Sequence, residues 1–137
     1  MISFLGLGTM GSPMALNLLK QNPDLVVWNR SPGPRAKLVE AGASEVDTAK
    51  EALAAEVSFS MFSNDAAVDA VLSSENITPN TVHICMASIS PELARTLTQR
   101  FAGAGAKYIS APVLGRPKVA EAGMLNILAA GDPSEIS

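Results

Sequence analysis

The run Gly6-Leu7-Gly8-Thr9-Met10-Gly11 stands between two patterned stretches. Before it lies the short apolar strand Ile2 to Leu5. After it, Met10 to Lys20 sets Met10, Met14, Leu16, Leu18 and Leu19 among helix-forming neighbours. A G-x-G-x-x-G pattern has meaning in this strand-then-helix setting, because each glycine then answers a separate physical need. Gly6 permits the tight turn out of the strand. Gly8 has no Cβ, so a pyrophosphate can approach the backbone. Gly11 lets the helix pack closely on the strand. The free N–H groups of the helix's first turn, with the positive end of its dipole, hold the phosphates. Gly6, Leu7, Gly8, Thr9, Met10 and Gly11 are therefore candidate cofactor-binding residues.

Strands and helices alternate along the rest of the chain. Leu25 to Trp28 is a second apolar strand. The turn Ser31-Pro32-Gly33-Pro34 leads into a helix from about Arg35 to Ala41, stopped by Gly42. Glu45-Val46 reads as a very short strand, and Thr48 to Ala55 as a helix with Asp47 as N-cap. Val57 to Phe62 is a strand, Asp65 to Leu72 a helix, Thr81 to Met86 a strand. Pro91 to Phe101 is a helix with Ser90 as N-cap and proline at its first position. Lys107 to Ile109 and Leu125 to Ala129 are late strands, with a helical turn at Lys118 to Ala122 between them. Such alternation with short loops predicts an α/β fold of the Rossmann type. It is a doubly wound, mostly parallel sheet with helices on both faces, in one domain over residues 1–137.

Composition narrows the function classes. The 137 residues are 47% hydrophobic, enough to fill a core. The net charge of −3 gives no basic face for a nucleic acid or a membrane surface. One cysteine, Cys85, and one histidine, His83, make neither an internal disulfide nor a metal cluster. No segment has the length and apolarity of a membrane span, and the first residues lack the basic start of a signal peptide. A reducing, cytoplasmic setting is expected.

The second strand points to the cofactor. In a domain that takes NAD, an acidic residue at its end bonds the ribose hydroxyls. Here the strand ends in Asn29-Arg30-Ser31, without a carboxylate. An acid would repel a 2′-phosphate, whereas a guanidinium binds it by charge-assisted bonds and stacks on adenine. Asn29, Arg30 and Ser31 join the candidate set, with Arg35 or Lys37 as sources of added charge. The expected cofactor is NADP rather than NAD.

The chain as a whole resembles the β-hydroxyacid dehydrogenases. These include 3-hydroxyisobutyrate dehydrogenase, tartronate semialdehyde reductase and glyoxylate reductase, and share a fold with 6-phosphogluconate dehydrogenase and the imine reductases. The similarity runs through Gly6 to Ala15, Trp28-Asn29-Arg30-Ser31, Ala41-Gly42-Ala43 and Met61 to Val68. It continues through Ser88-Ile89-Ser90-Pro91, Ala111 to Arg116, Ala120, Gly123 and Gly131-Asp132. The resemblance implies that Phe62 and Ser63, which match a Leu-Pro pair of the family, line the cofactor together with Met61, and that Ser88 lies beside the nicotinamide. Both sites follow apolar strands, at the carboxyl edge where ligands bind in doubly wound folds. It also implies a substrate-binding set of Ser88, Leu114, Gly115 and Arg116.

Two departures from that family matter. Its substrate loop reads Asp-Ala-Pro-Val-Ser-Gly-Gly, against Ser110-Ala111-Pro112-Val113-Leu114-Gly115-Arg116 here, so a carboxylate-holding hydroxyl and a glycine are replaced. Its Asp-Met-Ser-Thr becomes Cys85-Met86-Ala87-Ser88, losing another hydroxyl. Further, the family's proton-donating lysine lies in an all-α domain beyond residue 137. Lys107 and Lys118 come too early to replace it and read as surface residues. The chain is thus expected to bind cofactor, to contribute no catalytic residue and to lack that α domain. The whole enzyme would move hydride between NADP(H) and a small carbonyl or hydroxy-acid substrate, and homo-oligomerise mainly through the α domain. The alternatives are an imine-reductase-like enzyme, favoured mildly by the lost hydroxyls, and a non-catalytic nucleotide-binding or interaction module.

Overall fold

The computed structural model describes residues 2–8, 11–62 and 64–111. Among the described residues six strands form one sheet: β1 (Ile2–Leu5), β2 (Val26–Trp28), β3 (Ser44–Glu45), β4 (Val57–Ser60), β5 (Val82–Cys85) and β6 (Lys107–Ser110). Five helices connect them: α1 (Gly11–Gln21), α2 (Pro32–Glu40), α3 (Ala49–Leu53), α4 (Asp65–Val71) and α5 (Pro91–Gly103). All strand pairs are parallel, in the order β3-β2-β1-β4-β5-β6. The order reverses between β1 and β4, which opens a crevice above their carboxyl ends.

Alternation along the strands sorts side chains to two faces. Phe4, Val27, Phe59 and Ile84 pack with Met14, Ala15 and Leu18 of α1 and Leu38 of α2. Leu5, Trp28 and Cys85 pack with Leu53 of α3, Val68 of α4, and Leu97 and Phe101 of α5. The second face also holds polar groups. Ser3 donates its hydroxyl to the Ala52 carbonyl at 2.6 Å. Buried His83 lies between Ser58 Oγ, 2.6 Å from Nδ1, and Ser60 Oγ, 2.8 Å from Nε2. Phe101 stacks on the imidazole. Burial alone holds the His83 pKa down to about 3, so the ring is neutral at physiological pH.

Strand–helix order matches the sequence expectation, and the differences are local. Helix α2 begins at Pro32, not Arg35. Proline suits a first turn because its missing N–H has no helical partner to lose. The N-cap of α3 is Thr48 rather than Asp47: Thr48 Oγ1 accepts the Glu51 amide, and the Glu51 carboxylate accepts the Thr48 hydroxyl. The short third strand is Ser44–Glu45 rather than Glu45-Val46. A 3₁₀ turn at Ser74–Asn76 was not foreseen. The predicted turn at Lys118 to Ala122 and strand at Leu125 to Ala129 lie outside the described residues.

Candidate functional site

The glycine loop leaves β1 at the point where the strand order reverses. Gly6 has φ +94°, a left-handed conformation that a side chain resists, and a Cβ there would strike the Met61 carbonyl oxygen. A Cβ on Gly11 would collide with the Gly6 carbonyl. These two glycines seat the loop and α1 against the sheet. Gly8 differs: among the described residues, its chain neighbours apart, nothing lies within 4 Å of where its Cβ would be. The space above it is open, as close approach of a ligand to the backbone requires.

Polar side chains fix the loop's shape. Leu7 donates its amide to Asn29 Oδ1 at 2.9 Å, tying the loop to the end of β2. Asn29 Nδ2 in turn donates to the Ser31 carbonyl at 3.0 Å. Ser12 donates its hydroxyl to the Leu7 carbonyl at 2.8 Å, and its amide to the Gly8 carbonyl at 3.0 Å. Both polar ends of Asn29 are thus engaged within the protein, and the Leu7 amide is already bonded.

Beside Gly8 lies a cavity of about 460 Å³, lined by Leu7, Gly8, Ser12, Pro13, Gly33, Pro34 and Lys37. Those residues include a lysine and no carboxylate. Arg30 and Ser31 are exposed at the end of β2, at the mouth of α2. Ser31 makes no side-chain cap to α2, and two of the first three residues of that helix are prolines without N–H groups to cap. Arg35, one of two residues expected to add charge, turns elsewhere. Its guanidinium is buried, donates to the Val46 carbonyl at 3.0 Å, and lies 3.8 Å from Glu45 and 3.7 Å from Asp47. Helical residues two apart do not share a face, so Arg35 buttresses β3 while Lys37 faces the cavity.

On the far side of the crevice, Met61 and Phe62 follow β4 and are partly buried, with Met61 donating its amide to the Leu5 carbonyl at 3.0 Å. Ser88 follows β5 and is exposed. The two loops are joined. Asp65, first residue of α4, accepts the Ser90 amide on both carboxylate oxygens, at 3.2 and 3.3 Å. Sequence reasoning had missed this contact; Asn64-Asp65 at a helix start reads only as local capping. Thr9, Met10, Ser63, Leu114, Gly115 and Arg116 lie outside the described residues.

A doubly wound parallel sheet with a glycine loop at its switch point defines a Rossmann-type dinucleotide-binding unit. Over residues 1–137 the chain matches the model of the NAD binding domain of 6-phosphogluconate dehydrogenase. The chain belongs to this family, within the group of β-hydroxyacid dehydrogenases.

Among its relatives, the YfjR oxidoreductase of Bacillus subtilis is 36% identical over 98% of this chain and 49% of its own length. Glyoxylate/succinic semialdehyde reductase 1 of Arabidopsis thaliana is 35% identical over 96% of this chain and 47% of its own. The human cytokine-like nuclear factor N-PAC is 34% identical over 96% of this chain and 25% of its own. The chain thus spans about half the length of the two oxidoreductases. Among solved structures, Mycobacterium tuberculosis 3-hydroxyisobutyrate dehydrogenase with L-serine superposes with a TM-score of 0.80 at 30% identity, covering 88% of this chain and 43% of that one. An imine reductase from Pseudomonas sp. gives 0.79 at 29%, covering 85% and 42%. The reductive aminase from Aspergillus terreus in complex with NADPH and ethyl levulinate gives 0.77 at 28%, covering 85% and 42%.

Proposed function

We propose that this chain binds NADP(H), and that it forms the cofactor-holding half of an oxidoreductase acting on a small carbonyl or hydroxy-acid substrate. The observation that carries the reading is the cavity beside Gly8: among the described residues it is open above the glycine, is walled by Lys37 and has no carboxylate in its lining. Backbone N–H groups of the glycine loop, at the mouth of α1, take the diphosphate. Arg30, Ser31 and Lys37 receive the phosphate on the adenosine ribose, where an acid would repel it. Phe62 and Ser88, at the carboxyl ends of β4 and β5, border the nicotinamide end.

When bound, the nicotinamide supplies or accepts the hydride. The protein's own part is to bind, to orient one ring face and to keep water away. Leu114, Gly115 and Arg116 form the near wall of the substrate pocket in this reading. Residues 1–137 contribute no proton donor in this reading. The unit operates as one domain over residues 1–137.

Calorimetric titration with NADPH and with NADH tests the reading without requiring turnover. Saturable binding with NADPH at least tenfold tighter is the expected result. Absence of binding by either nucleotide overturns it, and equal affinities overturn the NADP assignment.

A further inference from the structure

The loop after β5 carries Ser88, exposed, between two fixed points. On one side Ala87 is buried. On the other, Ser90 starts α5: its Oγ accepts the Leu93 amide at 3.2 Å and its carbonyl the Ala94 amide at 3.0 Å. The Ser90 amide points away from α5, and the Asp65 carboxylate takes it with both oxygens. Asp65 belongs to a different helix, 25 residues earlier, whose own start is capped by Asn64 through the Ala67 amide at 2.8 Å. One carboxylate thus sits where α4 and α5 both begin, where the dipoles of both helices favour negative charge.

Below this contact β4 and β5 are paired in parallel, and side chains add to the ladder. Met86 donates its amide to the Ser60 carbonyl at 2.9 Å, and Ser60 Oγ meets His83 Nε2 at 2.8 Å. Those bonds fix the strands. The Asp65–Ser90 contact fixes the loops above them, leaving two residues, Ser88 and Ile89, between anchors. A segment that short with both ends held has few conformations left.

We propose that Asp65 is a positioning residue. Its carboxylate locks the loop after β5 onto α4, and so sets where Ser88 stands relative to Phe62 across the nicotinamide end of the crevice. This rests on the cofactor reading above. It goes beyond it by assigning a role to a residue that touches neither the diphosphate nor the ribose.

The test separates the two ends of the cofactor. Affinities for NADPH and for adenosine 2′,5′-bisphosphate, which lacks the nicotinamide, are measured for the full chain and for Asp65→Ala and Asp65→Asn. A hydrogen bond to a charged group justifies an expected loss of about tenfold in NADPH affinity for Asp65→Ala. Affinity for the bisphosphate should stay within about twofold, because that ligand ends before the loop. Asp65→Asn retains an acceptor for the Ser90 amide and should recover part of the loss; it also serves if the alanine variant folds poorly. Equal losses for both ligands would mean general structural support, and no loss for either would mean an idle contact; both overturn the assignment. Failure of the unmodified chain to bind either ligand overturns the cofactor reading and this inference together. Normal NADPH binding with unresponsive variants overturns this inference alone.

Discussion

Asn29 and Leu7 stand 22 residues apart in sequence and are joined by one hydrogen bond of 2.9 Å, from the Leu7 amide to Asn29 Oδ1. The bond couples the glycine loop to the end of β2, the two places that the proposed reading assigns to the diphosphate and the ribose. Asn29→Ala leaves that amide without its partner, at a cost of about 1–2 kcal/mol. Chemical denaturation should show that loss. NADPH and NADH affinities should fall together, because the loop shape serves both. A selective loss of NADPH would show that Asn29 instead contacts the extra phosphate.

Gly8 and Gly11 predict opposite phenotypes. At Gly11 a Cβ meets the Gly6 carbonyl, so Gly11→Ala should cost roughly 2–4 kcal/mol despite alanine's better helix propensity. At Gly8 none of the described residues beyond its chain neighbours lies within 4 Å of the Cβ position. Gly8→Ala should therefore leave the melting temperature nearly unchanged while reducing nucleotide affinity by at least about tenfold. Thermal melts and titrations on both variants check the contrast.

Lys37 faces the cavity beside Gly8 and Arg35 does not. Lys37→Ala should weaken NADPH binding by roughly tenfold and NADH binding little. Arg30→Ala should behave likewise. Arg35→Ala should act on folding instead, because it strips the Val46 carbonyl of its donor and leaves Glu45 and Asp47 unpaired. Nucleotide titrations paired with melts distinguish the two patterns.

His83 makes stability depend on pH. Its folded pKa is held near 3 by burial, against 6.5 in the unfolded chain. Between those values the unfolded state binds the proton and the folded state does not. The contribution is therefore complete above pH 6.5 and lost as pH falls, by about 1.4 kcal/mol per unit down to pH 3. Urea unfolding at pH 7 and pH 5 should differ by about 2 kcal/mol from this residue. His83→Gln should remove most of that difference. An unchanged slope in the variant would show that other groups set it.

Much of the fold was open to sequence reasoning because its signals are local. A strand, a glycine turn and a helix follow one another within Ile2 to Lys20, and each glycine answers a backbone requirement legible without its neighbours. The expected helix start at Arg35 failed for an equally local reason: Pro32 and Pro34 read as breakers, although a first helical turn tolerates them. The roles of His83 and Asp65 were hidden. Along the chain His83 reads only as a lone metal-ligand type, and its partners Ser58 and Ser60 arrive through the pairing of β4 with β5. The signal available was Ser-x-Ser on one strand and a lone histidine on the next.

By itself, then, the sequence determined the alternation of elements, the glycine loop and the absence of an acid after the second strand. Periodicity, backbone conformation and residue type are properties of neighbours along the chain. Only the tertiary structure decided which cation faces the cavity and which carboxylate joins the two loops. Arg35 and Lys37 look equivalent along the chain, but the strand register brings Glu45 and Asp47 to one of them and leaves the other beside Gly8. Such choices depend on groups far apart in sequence, and they exist only once the sheet has assembled.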